Sequence, residues 1–580
     1  MSYLAPTTEH LFVLEHVAGI GDLARHQRFS AADPDMVAAI VDGAGRFAEA
    51  EFLPLSRVGD VEHPRIVDGQ VHMPPGFKDA YRAYVENGWG TIAAPVEYGG
   101  QGLPVSLAAV VLEVLGSTNM AFSLCPTLTV GAIEALMHHG TPEQKKMWLP
   151  HLCTGEWTGT MNLTEPQAGS DVGALRTTAT PVGDGSYRIK GTKIFITFGD
   201  HDLAGNIVHL VLARTPGAPD GTKGISLFLV PKYRLDAGGR PGAFNDVRPV
   251  ALEHKLGIHA SPTCVLSFGD NNDCIGHLIG PECGGMRAMF TMMNNARLNI
   301  GLQGVQVGER ALQQALAFAR ERVQSPRAGG DARTAVAIIE HPDVRRMVLR
   351  ARALTQAARA LAYYAFGQLD RARLGDEQAA QRLELLTPLA KSYSTDVGTE
   401  VASLNIQVHG GMGFIEETGA AQLYRDIRIA AIYEGTNGIQ AADLVSRKLP
   451  MAGGGVLTSL LSSIRDEAKG EGALMRLVDT VEGVARWMLS DASVEDRLAG
   501  SYPFLNMVSV ATSGWLMARQ GRVAAEMLGR GEGDSAFLRM KQASARYYCD
   551  VVVAEAQGLE ASARSGAEIL YALSDEELAA

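Results

Sequence analysis

The apolar residues of this 580-residue chain change their period twice, and that switch limits what it can fold into. Up to about residue 155 they recur at helical spacing. Asp33-Pro34 supplies an N-cap and a first-turn proline, and Val37, Ile40, Ala44 and Phe47 follow on one face. Thr141-Pro142-Glu143-Gln144 repeats the pattern as a capping box. After Trp157 the chain reads as strand. Tyr187–Thr197 alternates, and Val208–Ala213, Ile225–Val230 and Val265–Phe268 are short apolar runs between turn residues. From Gly284 onward long helical patterns return, over Gly308–Val323, His341–Leu374 and Leu383–Val408. Those lengths suit an antiparallel bundle.

A chain of this length exceeds what one core organises. The expected fold is α+β and multidomain: an N-terminal helical domain (1–155), a middle β-barrel-like domain (156–275), a C-terminal helical bundle (276–450) and an additional C-terminal helical domain (456–580). Pro450–Gly455, PMAGGG, reads as the linker before the last of these.

Charge and cysteine usage exclude several classes. The net charge of −12 leaves no general nucleic-acid footprint, although a few placed arginines still suffice for an anionic ligand. The six cysteines are scattered without a CxxC pair, which argues against a disulfide framework or a zinc site, so no metal is expected and a cytoplasmic location is. The first basic residue is Arg25, so the N-terminus does not read as a secretory signal. Val105–Leu115 is the nearest approach to a membrane span. It is short and interrupted by Ser106 and Glu113, so a buried helix is expected.

Four segments carry candidate chemistry, each with an ordinary reading beside it. Tyr433–Gln440, YEGTNGIQ, holds an acidic residue at a helix-entry turn. Leu163–Asp171, LTEPQAGSD, offers hydroxyls and backbone N–H groups at close range, suited to a phosphate or flavin and equally to a plain loop. Gly191–Thr197, GTKIFIT, is an alternating strand that could simply be core. Gln407–Phe414, QVHGGMGF, has glycines that let a ligand approach the backbone or end a helix.

The order of these segments, together with the loop Ala93–Pro104 containing PVEYGGQG, resembles the acyl-CoA dehydrogenase family from about residue 35 to 450. The long lead and C-terminal extension resemble the subgroup that includes 3-methylmercaptopropionyl-CoA dehydrogenases. The resemblance implies FAD as cofactor, an acyl-CoA substrate and Glu434 as catalytic base. It assigns Leu163, Thr164, Gly169, Ser170, Phe195, Thr197, Arg322, His341, Gln407, Gly411 and Thr436 to the cofactor, and Ser170, Asn294, Arg297 and Gly435 to the substrate. Arg322 and the Gln407–Gly411 segment are implied to serve the FAD of a neighbouring subunit, hence at least a dimer. Covering of the bundle by residues 456–580 would stop assembly at a homodimer.

The chain departs from the family pattern in places. Phe195 stands where tryptophan is usual, Asn294 where aspartate is usual, and Gly438 where many relatives have glutamine. Ala296 occupies the position at which some relatives carry their catalytic glutamate, which leaves Glu434 as the candidate. Arg297 could also be an ordinary surface arginine on a helix. Met286, Met289, Met292 and Met293 are either core packing or a soft wall of an acyl pocket. Activity classes left open are a dehydrogenase of fatty-acyl β-oxidation passing electrons to an electron-transferring flavoprotein, an oxidase using O₂, and a silent flavoprotein scaffold.

Overall fold

The computed structural model describes residues 3–331 and 333–580, which divide into two compact units, 39–296 and 1–38 with 297–580.

In the unit 39–296, helix α1 (Val105–His139) is long and apolar enough to cross a membrane, but 94% of its most apolar window is buried inside the fold. It breaks at Asn119, whose φ and ψ are −156° and 88°. The Asn119 carboxamide accepts the Phe122 N–H at 3.1 Å and so caps the second half. Helix α2 (Pro142–Thr154) starts on the capping box formed by Thr141 and Gln144.

One sheet of eight strands follows, β1 (Trp157–Asn162), β2 (Thr178–Pro181), β3 (Tyr187–Thr197), β4 (Asn206–Arg214), β5 (Ile225–Pro231), β6 (Val247–Leu252), β7 (Thr263–Phe268) and β8 (Ile275–Ile279), with a separate hairpin of Tyr233–Leu235 and Pro241–Phe244 between β5 and β6. The sheet runs β6-β7-β3-β8-β5-β4-β1, and β2 pairs with both β3 and β4, closing a ring of five strands. That closure makes the domain barrel-like and leaves fewer open edges. β4 and β5 are buried along almost their whole length.

β1 and α1 touch so closely that a Cβ on Gly159 would lie 2.4 Å from Ala132 Cβ. Glycine at 159 is what lets the helix settle on the sheet. Met289 and Met292 are fully buried in the core between α1, α2 and the sheet, and Met286 and Met293 pack at its margin. Core packing accounts for the first two. A small hairpin, Arg65–Val67 with Gln70–His72, interrupts the stretch read from sequence as helical throughout. Strands of three residues are too short to leave a readable period.

The second unit is helical. α3 (Gly285–Glu321) starts well before the segment expected from Gly308, and Val323 begins a short hairpin strand rather than ending the helix. α4 (Pro342–Arg373) and α5 (Glu377–His409) form an antiparallel pair. α3 and α5 cross at glycines: a Cβ on Gly304 would stand 1.8 Å from the Ser394 carbonyl oxygen. The short α6 (Asn437–Asp443) follows the YEGT segment.

Beyond it, α7 (Ser501–Arg530) and α8 (Ser535–Tyr547) lie on the bundle. Phe504, Met507, Val510 and Trp515 are buried, and the Trp515 ring meets Tyr364 of α4 edge-on at 5.2 Å. The Pro450–Gly455 segment is a tight turn in which Ala452, Gly453 and Gly454 are successively left-handed, and a helix begins at Gly455. The glycines there serve backbone conformation instead of a flexible linker. The helix Thr7–Val13 docks in the same unit, with Glu9 accepting from the Lys541 ammonium at 2.8 Å and Phe12 edge-on to Phe537 at 5.6 Å.

Candidate active site

Glu434 stands in the left-handed region with φ 55°, followed by Gly435 at 84°. For a residue with a side chain this costs about 1–2 kcal/mol and persists only where the surroundings over-determine it. They do so here from three sides. The Tyr433 hydroxyl donates to Gln303 Oε1 on α3. The Gln440 amide donates back to the Gly435 carbonyl at 3.1 Å. Thr436 caps α6 by accepting the Ile439 N–H at 3.1 Å, and Asn437 bonds into α5.

The Glu434 carboxyl is pushed above its usual range, mainly by burial. Arg297 and Lys391 face it and pull the other way. Arg297 is only 5% exposed, so it is no surface arginine. It lies 3.9 Å from Asp443 Oδ2, and its Nη2 sits 3.7 Å from where a Gly435 Cβ would be. Asn294, one turn earlier, is half-buried.

The remaining residues assigned in this helical unit gather elsewhere on it. Arg322 donates to Gln324 Oε1 at 3.1 Å and the His341 ring bonds the Gln324 carbonyl at 2.7 Å, so the short hairpin brings these two together. Phe318 stacks on His409 at 4.2 Å, which joins the C-terminal ends of α3 and α5 and puts exposed Arg322, Gln407 and Gly411 at that end. A Cβ on Gly411 would meet nothing within 4 Å. From Gln303, the anchor of the Glu434 turn, to Arg322 is about 28 Å along the helix.

In the unit 39–296 the other assigned residues form a loop-and-strand pair. Between Cys264 and Leu266 on β7 the register with β3 slips, leaving an extra residue on β3. Phe195 lies in this bulge with φ 58° and its ring 59% exposed. A bulky left-handed residue turned to solvent is unusual. Thr197 is half-buried two residues on.

The loop after β1 is clipped to this strand. Ile194 N–H donates to the Thr164 carbonyl at 2.9 Å, and the Lys193 ammonium to the Leu163 carbonyl at 3.0 Å and Glu165 Oε1 at 2.8 Å. Glu165 also accepts the Arg176 N–H at 2.7 Å and the Thr177 hydroxyl at 2.6 Å. Burial pushes the Glu165 carboxyl up, but Lys193 and these donors outweigh it and hold it at about 2. Leu163, Thr164, Phe195 and Thr197 are thus brought side by side. Gly169 and Ser170 stay exposed on the same loop, with open space where a Gly169 Cβ would be.

Glu165, Lys193, Lys391, Asp396 and Asn437 carry no assigned role in the sequence motifs. The available signal was a charged residue at an inward strand position (Lys193) and another within a buried helix face (Lys391); both are fully buried.

A helical and barrel-like architecture carrying a recessed carboxylate on a strained turn defines an acyl-CoA dehydrogenase, and the chain belongs to that family. It matches the family's N-terminal domain over residues 35–156, its middle domain over 160–271 and its C-terminal domain over 284–449. Residues 463–574 match the acetyl-CoA dehydrogenase C-terminal-like domain. The family is one of FAD-dependent oxidoreductases, and this chain is one of them.

Among curated relatives it is 46% identical over 572 residues to 3-methylmercaptopropionyl-CoA dehydrogenase of Ruegeria pomeroyi, covering 96% of this chain and 97% of that one. It is 36% identical over 549 residues to a butyryl-CoA dehydrogenase of Syntrophomonas wolfei, covering 90% of each. A Bacillus anthracis acyl-CoA dehydrogenase complexed with FAD shares the fold with a TM-score of 0.74 at 20% identity, covering 100% of this chain and 94% of that one.

The assigned residues fit such a cofactor. In the unit 39–296 an exposed aromatic ring is held on a strained bulge with hydroxyls and open glycine backbone beside it, and in the helical unit an open glycine segment and an exposed arginine share one end of the bundle.

Proposed function

We propose that the enzyme removes the α-proton of an acyl-CoA thioester with Glu434 and forms the trans-2-enoyl-CoA. The observation that carries this reading is the Glu434 turn: a recessed carboxyl, raised above its usual range by burial, on a backbone that three neighbours hold in a strained conformation. A carboxylate in water is too weak a base for this proton, and burial beside an apolar acyl chain brings it toward the working range. Backbone N–H groups of the turn are suited to stabilise the developing enolate. Bound FAD supplies the hydride acceptor for the β-carbon.

Leu163, Thr164, Gly169, Ser170, Phe195, Thr197 and Thr436 hold the cofactor in this reading. Ser170, Asn294, Arg297 and Gly435 hold the thioester and CoA. Because Glu434 must be ionised to act, turnover falls as pH drops through its raised pKa. The acid limb of the kcat/KM profile is expected above the ordinary glutamate value of about 4.3. A limb at or below that value rules out a buried carboxylate base.

The proposed substrate is 3-methylmercaptopropionyl-CoA. The support is the 46% identity that spans nearly all of both chains. A panel of that thioester with butyryl-, medium- and long-chain acyl-CoAs, assayed with an artificial electron acceptor, decides it. A preference for straight chains shifts the assignment to a general fatty-acyl enzyme of β-oxidation. The proposed physiological acceptor is an electron-transferring flavoprotein in the cytoplasm, and stoichiometric peroxide formed under air would replace it with O₂.

The proposed assembly is a homodimer. Arg322, His341, Gln407 and Gly411 lie about half the length of α3 from the Glu434 turn, so one chain presents two separated halves, and a second copy brings one half to the other. The apolar face of α7 is already spent on the bundle. Light scattering should give about 124 kDa, twice the 61.8 kDa of one chain. An FAD-loaded monomer contradicts the shared site, and a tetramer shows that residues 456–580 leave a second interface open.

A further inference from the structure

The Glu434 turn is tied to the appended helices by one chain of side chains. Tyr502, on the first turn of α7, donates its hydroxyl to Asp396 Oδ2 on α5. Asp396 Oδ1 accepts the Asn437 amide at 2.9 Å, and Asn437 Oδ1 accepts the Lys391 ammonium at 2.8 Å. The same amide reaches the Thr395 hydroxyl at 3.1 Å and the Ser392 carbonyl at 3.3 Å. Asn437 is the first residue of α6, three positions after Glu434.

The bridge uses both ends of one amide. Its oxygen must face the ammonium and its NH₂ the carboxylate, so its orientation is fixed by its neighbours. Lys391 is fully buried and Asn437 is 5% exposed, so neither is solvated as an alternative. At its outer end the network borders a cavity of about 380 Å³ lined by Asp396, Arg428, Thr436, Asn437, Gly438 and Tyr502.

We propose that Tyr502, a residue of the C-terminal extension, is a positioning residue for dehydrogenation: through Asp396 and Asn437 it holds the Lys391 ammonium and the start of α6 in place beside Glu434. The inference rests on Glu434 being the base. The extension then helps hold the turn that carries the base as well as covering the bundle.

The charges that face each group are few. Glu434 is faced by Arg297 from α3, Lys391 from α5 and its neighbour Tyr433. Lys391 is faced by Asp396, Glu434 and Arg297, and burial pushes it down to about 8. Burial raises Asp396, while Tyr502, Asn437, Lys391 and Arg428 lower it. The sign follows. Without the Tyr502 hydroxyl, Asp396 takes up a proton more readily and Lys391 loses a counter-charge. Lys391 then spends less time charged, and Glu434 loses the cation that favours its ionised form.

Tyr502→Phe removes one hydroxyl at the rim of an open cavity and leaves the packing of the ring. The test is the kcat/KM pH profile of wild type, Tyr502→Phe and Lys391→Met with the best acyl-CoA. Lys391→Met is expected to move the acid limb up by about one unit, the low end for losing a nearby opposite charge. Tyr502→Phe is expected to move it the same way by about half as much, with the plateau rate little changed.

A Tyr502→Phe profile that superimposes on wild type, or a uniform loss at every pH, overturns the proposal, since a merely structural contact would give the latter. If Lys391→Met does not fold, the Tyr502→Phe profile alone still decides. Wild type that turns over no acyl-CoA overturns the underlying reading, and this inference with it; a wild type that turns over but keeps its rate in Glu434→Gln removes the base and is recognised separately.

Discussion

Glu434→Gln should abolish turnover while the protein keeps its FAD and still binds acyl-CoA. The amide preserves the size of the side chain and can sit on the same left-handed turn, since the anchors at Gln303, Gln440 and the α5 network do not involve the carboxyl. What it cannot do is accept the α-proton. The loss should exceed about 10²-fold, the lower range for general base catalysis. Single-turnover flavin bleaching by acyl-CoA is the direct readout, and acyl-CoA titration of the oxidised protein shows whether binding survives. A variant that bleaches at near the parental rate means that another group takes the proton.

Lys193→Met should strip the cofactor and lower the melting temperature together. Lys193 is fully buried, and its ammonium bonds the Leu163 carbonyl and Glu165, itself 3% exposed. Removing the ammonium leaves an ionised carboxylate buried without its counter-charge, a loss of about 3–5 kcal/mol. The strain falls on the contact between the 163–177 loop and β3, where Thr164, Phe195 and Thr197 are held. Purified protein should therefore carry less flavin per polypeptide and refill weakly from added FAD. The double variant Glu165→Gln with Lys193→Met orphans no charge and should recover part of the stability. If the single variant purifies fully yellow and melts like the parent, the buried pair does not hold the loop.

Much of the fold could be read from the sequence because its elements are long. β3 runs over the residues its alternation indicated, and α4 and α5 match their periodic segments to within a few residues. The capping box at Thr141 is local chemistry and formed as written. What escaped was either short or distant. The hairpin at 65–72 has too few residues for a period, and the PMAGGG segment was read by composition, whereas its glycines and Ala452 answer a backbone demand. At the site, the segments holding Glu434 and Phe195 were visible as motifs, but the strain at both residues was not, because φ depends on a register slip in one case and three tertiary anchors in the other. Lys391, Asp396, Asn437 and Tyr502 lie up to 111 positions apart in sequence (391 to 502) and meet only once α5, α6 and α7 are packed. No local pattern announces such a chain.

The division of the chain into units bears on how it is made. Residues 39–296 are contiguous and contain their own sheet and core, so all they need has left the ribosome before most of the other unit is made. The other unit is split in sequence, with residues 1–38 before that block and 297–580 after it. Glu9 is buried against Lys541, and Phe12 packs with Ala524 and Leu538, so the helix Thr7–Val13 has no proper seat until Lys541 has been translated. Until then a carboxylate and an apolar ring are without the partners they have in the folded unit. Seating of that helix on α7 and α8 therefore comes after the whole intervening unit has been synthesised.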